Sequence, residues 1–199
     1  MTFSAPAPLV LASTSRYRRE LLSRLTPHFR QVAPHADETP HAGETAGGLA
    51  ARLAASKARA VAVRCPESIV IGSDQAAECD GVVIGKPGSI ADGCAQLAAA
   101  SGRVVVFHTA LCVVDTRGGG LLEHAAVDIT RVFFRGLDAD EIERYMKREQ
   151  PLDCAGSFKA EGLGIALFER IESQDPTALI GLPLIALCRL LRAAGVALI

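Results

Sequence analysis

Apolar positions recur along the chain on two periods, that of a half-buried strand and that of a helix, and the two kinds of segment alternate. Leu9 to Ala12 is a short apolar run of strand length. Ser13 and Ser15 follow, and Leu21, Leu22 and Leu25 then share one helical face. A polar stretch from about Pro34 to Glu44 leads to Thr45, which can cap a long Ala-rich helix to about Val63. Ser68 to Gly72 reads as a second buried strand that ends at Ser73-Asp74, and Gly81 to Gly85 as a tight turn with a short strand. A helix over about Ile90–Ala100 stops at Gly102. Arg103–Val114 and Leu121–Phe134, joined by the Gly-rich Thr116–Gly120, predict a hairpin. Asp138 and Glu141 form a capping box for a helix to about Lys147, Ile165–Ile171 is a late strand, and Leu184–Ala194 is the last helix, with Gly195 as its stop.

A hairpin within this alternation predicts an α/β fold with a mixed, twisted sheet flanked by helices. Two lobes around a cleft fit the pattern, with a break near Lys86-Pro87 or before the hairpin; no linker composition marks one, and residues 1–199 read as a single domain. The most apolar stretch, Leu182–Ile199, is interrupted by Arg189 and Arg192 and reads as an amphipathic core helix, so no membrane span is expected. Met1 to Pro8 lacks a basic and then apolar leader pattern, so no secretory signal is expected.

Composition narrows the function. Twenty-one Lys and Arg against 22 Asp and Glu give a net charge of −1, which argues against a nucleic-acid polymer as partner. Seven Phe, two Tyr and no Trp leave too few rings for a single-strand stacking platform. The six cysteines (Cys65, Cys79, Cys94, Cys112, Cys154 and Cys188) show no CxxC spacing and read as reduced thiols of a cytosolic protein.

Candidate chemistry begins at residues 11–22, Leu-Ala-Ser-Thr-Ser-Arg-Tyr-Arg-Arg-Glu-Leu-Leu. Arg16, Arg18 and Arg19 crowd the positive end of a helix, an unfavourable placement unless an anion binds there, with Ser13 and Ser15 as further donors. Against this stands a solvated basic face with a serine cap. Asp74, in Ile-Gly-Ser-Asp-Gln just past a buried strand, can hold a divalent metal or act as base toward water, or simply form a turn. Lys86, in Gly-Lys-Pro, can reach a phosphate, and Lys57 and Glu38 are weaker candidates for phosphate and metal. Cys154–Gly164, with Glu161 among three glycines, allows close backbone approach to a ligand.

The order of these pieces is more specific than any one of them. Ala-Ser-Thr-Ser-x-x-Arg-Arg-x-Leu-Leu, Ile-Gly-Ser-Asp-Gln, Gly-Lys-Pro, Ala-Gly-Ser-Phe and Gly-Leu-Pro-Leu resemble the Maf family of nucleoside triphosphate pyrophosphatases, from Leu9 to about Leu191. The resemblance implies a dimeric cytoplasmic enzyme with a nucleotide-binding cleft. It would convert a nucleoside triphosphate and water to the monophosphate and pyrophosphate, with a divalent cation, Mg²⁺ or Mn²⁺. It implies Asp74 as proton acceptor and metal ligand, Ser13, Arg18, Lys57 and Lys86 as phosphate-binding residues, and Glu38 as an acid near the metal. Arg16 departs from the family, which usually has Pro there.

Tyr17, Gln75 and Glu161, where the dTTP- and UTP-hydrolysing branch carries Arg, Thr and Gln, resemble the branch acting on 7-methyl-GTP, although that branch usually has Trp at position 17. The 7-methylguanine ring is cationic, suits an aromatic face, and offers N–H donors to a carboxylate at 161. A dTTP/UTP or broad modified-nucleotide pyrophosphatase, and a nucleotide-binding regulator of cell division, remain as alternatives.

Overall fold

The computed structural model describes residues 7–198; most of the segment read above as lacking a leader lies outside them. Within them seven strands form one mixed sheet: β1 (Leu9–Leu11), β2 (Phe29–Gln31), β3 (Ile69–Cys79), β4 (Val82–Ile84), β5 (Val104–Asp115), β6 (Leu122–Phe134) and β7 (Phe168–Glu172). The order across the sheet is β2-β1-β3-β5-β6-β7, with β4 also beside β3. β1 runs parallel to both β2 and β3, and the remaining pairings are antiparallel. Among the described residues five α-helices flank the sheet: α1 (Arg16–Ser23), α2 (Ala46–Ala62), α3 (Ile90–Ala100), α4 (Ala139–Glu149) and α5 (Leu184–Ala193).

The caps legible in the sequence form. Ser15 accepts from Arg18 N and Thr45 from Gly48 N, and Asp138 and Glu141 exchange both bonds of a capping box. Successive strand residues point to opposite faces, which separates three cores. On one face Ala46, Ala50, Ala54 and Ala58, a stripe at four-residue spacing, lay α2 against Val10, Val70, Ala76, Ala110, Cys112 and Val114. On the other face α1 and α5 cover Leu9, Leu11, Ile69, Ile71, Leu111 and Val113. Further along that face α3 and α4 cover Ala77, Val105, Phe107, Val132 and Phe134. The small stripe lets α2 come close: a Cβ on Gly72 would lie 2.3 Å from the Ala54 carbonyl oxygen.

Three expectations change, and one strand lies where none was read. β2 carries no apolar run and arises from its pairing with β1. β3 does not stop at Ser73-Asp74 but continues to Cys79, because β5 pairs with it along its whole length, so Asp74 lies mid-strand. The same pairing runs one sheet past Lys86-Pro87, where a break was expected, and the two lobes are helix groups at two ends of that sheet. Residues Leu163–Leu167 wind into a 3₁₀ turn, so the late strand begins only at Phe168. No described helix is long and apolar enough to cross a membrane.

One edge of β3 is paired with β5 throughout. The other edge is shared: β1 leaves it at Ile71, and β4 joins it only at Ala77. Residues 72–76 of β3 therefore face a gap in the sheet. The chain leaving β1 toward α1 and the chain leaving β4 at Gly85 flank that gap.

Candidate active site

The gap is the floor of a cleft of about 620 Å³, lined by residues from both faces of the sheet. Asp74 shares its face with α2 by strand parity, and Ser73 and Gln75 point the other way, so neighbouring residues of β3 supply two different walls.

On the α2 side Lys57 is buried, 5% exposed, beside Asp74 at 7%. Lys57 Nζ donates to Asp74 Oδ1 at 2.6 Å and lies 2.9 Å from Glu38 Oε1. The loop carrying Glu38 is clamped to α2, since Arg52 donates to both Glu44 oxygens at 2.6 and 2.7 Å and to the Thr39 carbonyl at 3.0 Å. Those bonds pull the Glu44 carboxyl down to about 2.

On the opposite side a turn over Ala178–Gly181 closes the cleft. Arg18 Nε donates to the Gly181 carbonyl at 2.9 Å, and Ser73 Oγ donates there at 3.0 Å or to the Ala110 carbonyl at 2.9 Å. Gly181 has φ +120°, a conformation that requires glycine. Burial lowers the Arg18 guanidinium from its usual value, and the Asp74 and Glu38 carboxylates push it back up. Gln75 Nε2 reaches Thr109 Oγ1 at 2.9 Å and the Ala178 and Leu179 carbonyls at 3.0 and 3.1 Å. The Thr109 hydroxyl donates to the Ala178 carbonyl at 3.0 Å.

At the mouth, Arg16 Nη2 donates to the Tyr17 hydroxyl at 2.7 Å, and the guanidinium carbon lies 4.7 Å from the ring centroid. Burial raises the Tyr17 phenol. Burial, with Asp153 alongside, pushes the neighbouring Cys154 thiol up to about 12, leaving it protonated; the Tyr17 hydroxyl and the Glu161 carboxylate act on the same thiol.

The structure thus brings Arg18, Glu38, Lys57 and Asp74 into one charged cluster, and Ser13, Tyr17, Gln75, Lys86 and Glu161 line the same cleft. Ser13 is buried, and its Oγ accepts from Ser15 N at 3.1 Å. Lys86 and Glu161 are exposed on the rim. Sequence reasoning missed Ser73 and Thr109, which anchor the 178–181 turn. Their signal is a hydroxyl residue inside an otherwise apolar strand. It also missed Phe107 and Phe158, which lie in the cleft wall edge-to-face with centroids 5.3 Å apart.

Glu38 and Asp74 converge on one ammonium, which makes a pair of hard oxygen donors. Among the described residues no group of three or more His, Cys, Asp or Glu side chains could hold a metal ion. A two-carboxylate set suits Mg²⁺, which takes its remaining ligands from water and substrate phosphate. The residues fit a divalent cation that draws its remaining ligands from outside the protein.

A family model described as Maf-like protein matches residues 8–194. A protein of Xanthomonas oryzae pv. oryzae (strain MAFF 311018) named 7-methyl-GTP pyrophosphatase is 59% identical over 187 residues, 94% of this chain and 96% of its own. Proteins of the same name from Burkholderia pseudomallei (strain 1710b) and Polaromonas sp. (strain JS666 / ATCC BAA-500) are 57% and 55% identical. Each alignment covers 96% of this chain, with 89% and 86% of the respective relatives.

Proposed function

The chain belongs to the Maf family, and on that premise we propose that it hydrolyses 7-methyl-GTP to 7-methyl-GMP and pyrophosphate, removing a modified nucleotide. The observation that carries this reading is Asp74, set mid-strand in the gap of the sheet against Lys57, in a cleft that Tyr17 and Glu161 also line.

Water attacks the α-phosphorus. A bond forms from its oxygen to phosphorus, the bond from phosphorus to the oxygen bridging the β-phosphate breaks, and pyrophosphate leaves. Asp74 accepts the water proton, using Oδ2 because Lys57 occupies Oδ1. Arg18, held at Nε by the Gly181 carbonyl, turns its remaining N–H groups to phosphate oxygens. Ser13, the start of α1 and Lys86 add donors where charge develops on pyrophosphate.

Arg18 and Lys57 are formally matched by Glu38 and Asp74, so the floor carries no surplus to offset a triphosphate's roughly four negative charges. Glu38, Asp74 and phosphate oxygens would hold Mg²⁺ or Mn²⁺, which neutralises charge and polarises the phosphoryl group. At the mouth, Tyr17 offers its face to the cationic base, and Glu161 accepts from the guanine N–H edge and repels pyrimidine carbonyls. Gln75 keeps the 178–181 turn in place. We further propose that the whole chain acts as one catalytic unit, as a cytoplasmic homodimer.

The test is pyrophosphate release from 7-methyl-GTP, GTP, dTTP and UTP, with and without a chelator. The expected outcome is fastest release from 7-methyl-GTP, lost on chelation and restored by Mg²⁺. Equal or faster turnover of dTTP refutes the substrate, and binding without turnover favours a regulator.

A further inference from the structure

Arg16 is the first residue of α1, where the helix dipole disfavours a cation. Neighbours one apart on a helix do not ordinarily face each other. Here the guanidinium nonetheless folds back over the next ring, 4.7 Å from its centroid, and fastens to its hydroxyl at 2.7 Å. Both residues line the mouth of the cleft. Tyr17 is thus already engaged with one cation before a base arrives.

We propose that Arg16 is a specificity-determining residue that reduces the site's preference for a cationic base over a neutral one. The inference rests on the proposed function for its substrate. A base stacking on Tyr17 either displaces the guanidinium or takes the opposite face. In both cases a full positive charge stays within roughly 8 Å of the base, a repulsion of about twofold in affinity through a largely aqueous medium. A neutral guanine feels none of it. Attraction of Arg16 to the phosphates acts equally on both nucleotides and cancels in their ratio. The carboxylates of Asp153 and Glu20, which also act on Arg16, lower the repulsion without reversing it.

The experiment titrates wild type, Arg16→Gln and Arg16→Lys with 7-methyl-GMP and GMP by calorimetry, so that no turnover is required. The preference for 7-methyl-GMP is expected to rise about twofold in Arg16→Gln and to stay at the wild-type value in Arg16→Lys, which retains the charge. An unchanged preference in Arg16→Gln, or an equal rise in both variants, overturns the proposal. If the wild type binds both nucleotides but releases no pyrophosphate from the triphosphates, the proposed function fails while the Arg16 ratio is still read. If it binds neither, the Arg16 proposal fails, and pyrophosphate release alone decides the proposed function.

Discussion

Replacing Gly72 with alanine places a methyl between β3 and α2, where Asp74 and Lys57 meet two residues further on. The new carbon would sit 2.3 Å from the Ala54 carbonyl oxygen, 2.7 Å from the Ala58 nitrogen and 2.8 Å from the Ala58 Cβ. Non-bonded contacts of carbon settle near about 3.5 Å, so α2 has to withdraw by about 1 Å. Two of the three opposing atoms are helix backbone and cannot rotate away. The cost is therefore at the upper end for an inserted methyl, about 3 kcal/mol. Against a total stability of about 5–15 kcal/mol, that is a large fraction. With a urea slope of about 2–3 kcal/mol per M, the midpoint falls by about 1 M. The same withdrawal carries Lys57 away from its 2.6 Å contact with Asp74, and a misplacement of about 1 Å costs up to about a hundredfold in turnover. Urea unfolding followed by circular dichroism, together with pyrophosphate release, measures both effects. Gly136→Ala is the control, because nothing lies within 4 Å of its Cβ. A Gly72→Ala midpoint equal to that of the control would refute the close approach of α2 and the link drawn from it to the site.

Asp74→Asn should lower kcat about a hundredfold to ten-thousandfold while far-ultraviolet dichroism stays that of wild type, since the amide keeps the shape and loses the proposed proton acceptor. Glu161→Gln should cut the preference for 7-methyl-GTP over UTP by about tenfold, read as the ratio of kcat/KM values, because a carboxylate's repulsion of pyrimidine carbonyls is gone. Glu44, held down to about 2 by Arg52, stabilises its loop above the unfolded carboxyl value of 4.5 and loses that contribution as pH falls from there toward 2. Hydrogen exchange over residues 37–44 should therefore accelerate relative to Glu44→Gln between pH 5 and pH 3, and an identical pH response in the variant would refute the clamp.

Local rules carried much of the architecture. The Thr45 cap, the Asp138–Glu141 box and the β5–β6 hairpin each depend on residues close in sequence, and each formed where expected. Features set by distant pairing were not legible. β2, Phe-Arg-Gln, has no strand signature and exists because β1 lies beside it. Ser73-Asp74-Gln75 looks like the polar end of a strand, yet β5 carries the ladder five residues beyond Asp74. Asp74, Lys86 and the α1 entrance stood out in the sequence as residue types, and the structure places them in one cleft. That Lys57 joins Glu38 to Asp74 depends on how α2 packs on the sheet, which no local spacing encodes.

The interrupted edge of β3 separates what must stay rigid from what can change. Asp74 is anchored by strand pairing on one side, while the segments bordering the gap begin where β1 and β4 end, at Leu11 and Ile84. Insertions or shortening after either strand would re-space the entrance at the α1 start and at Lys86 without moving the residue at its centre. The fold in this way separates the positions that shape the entrance from the position at its centre.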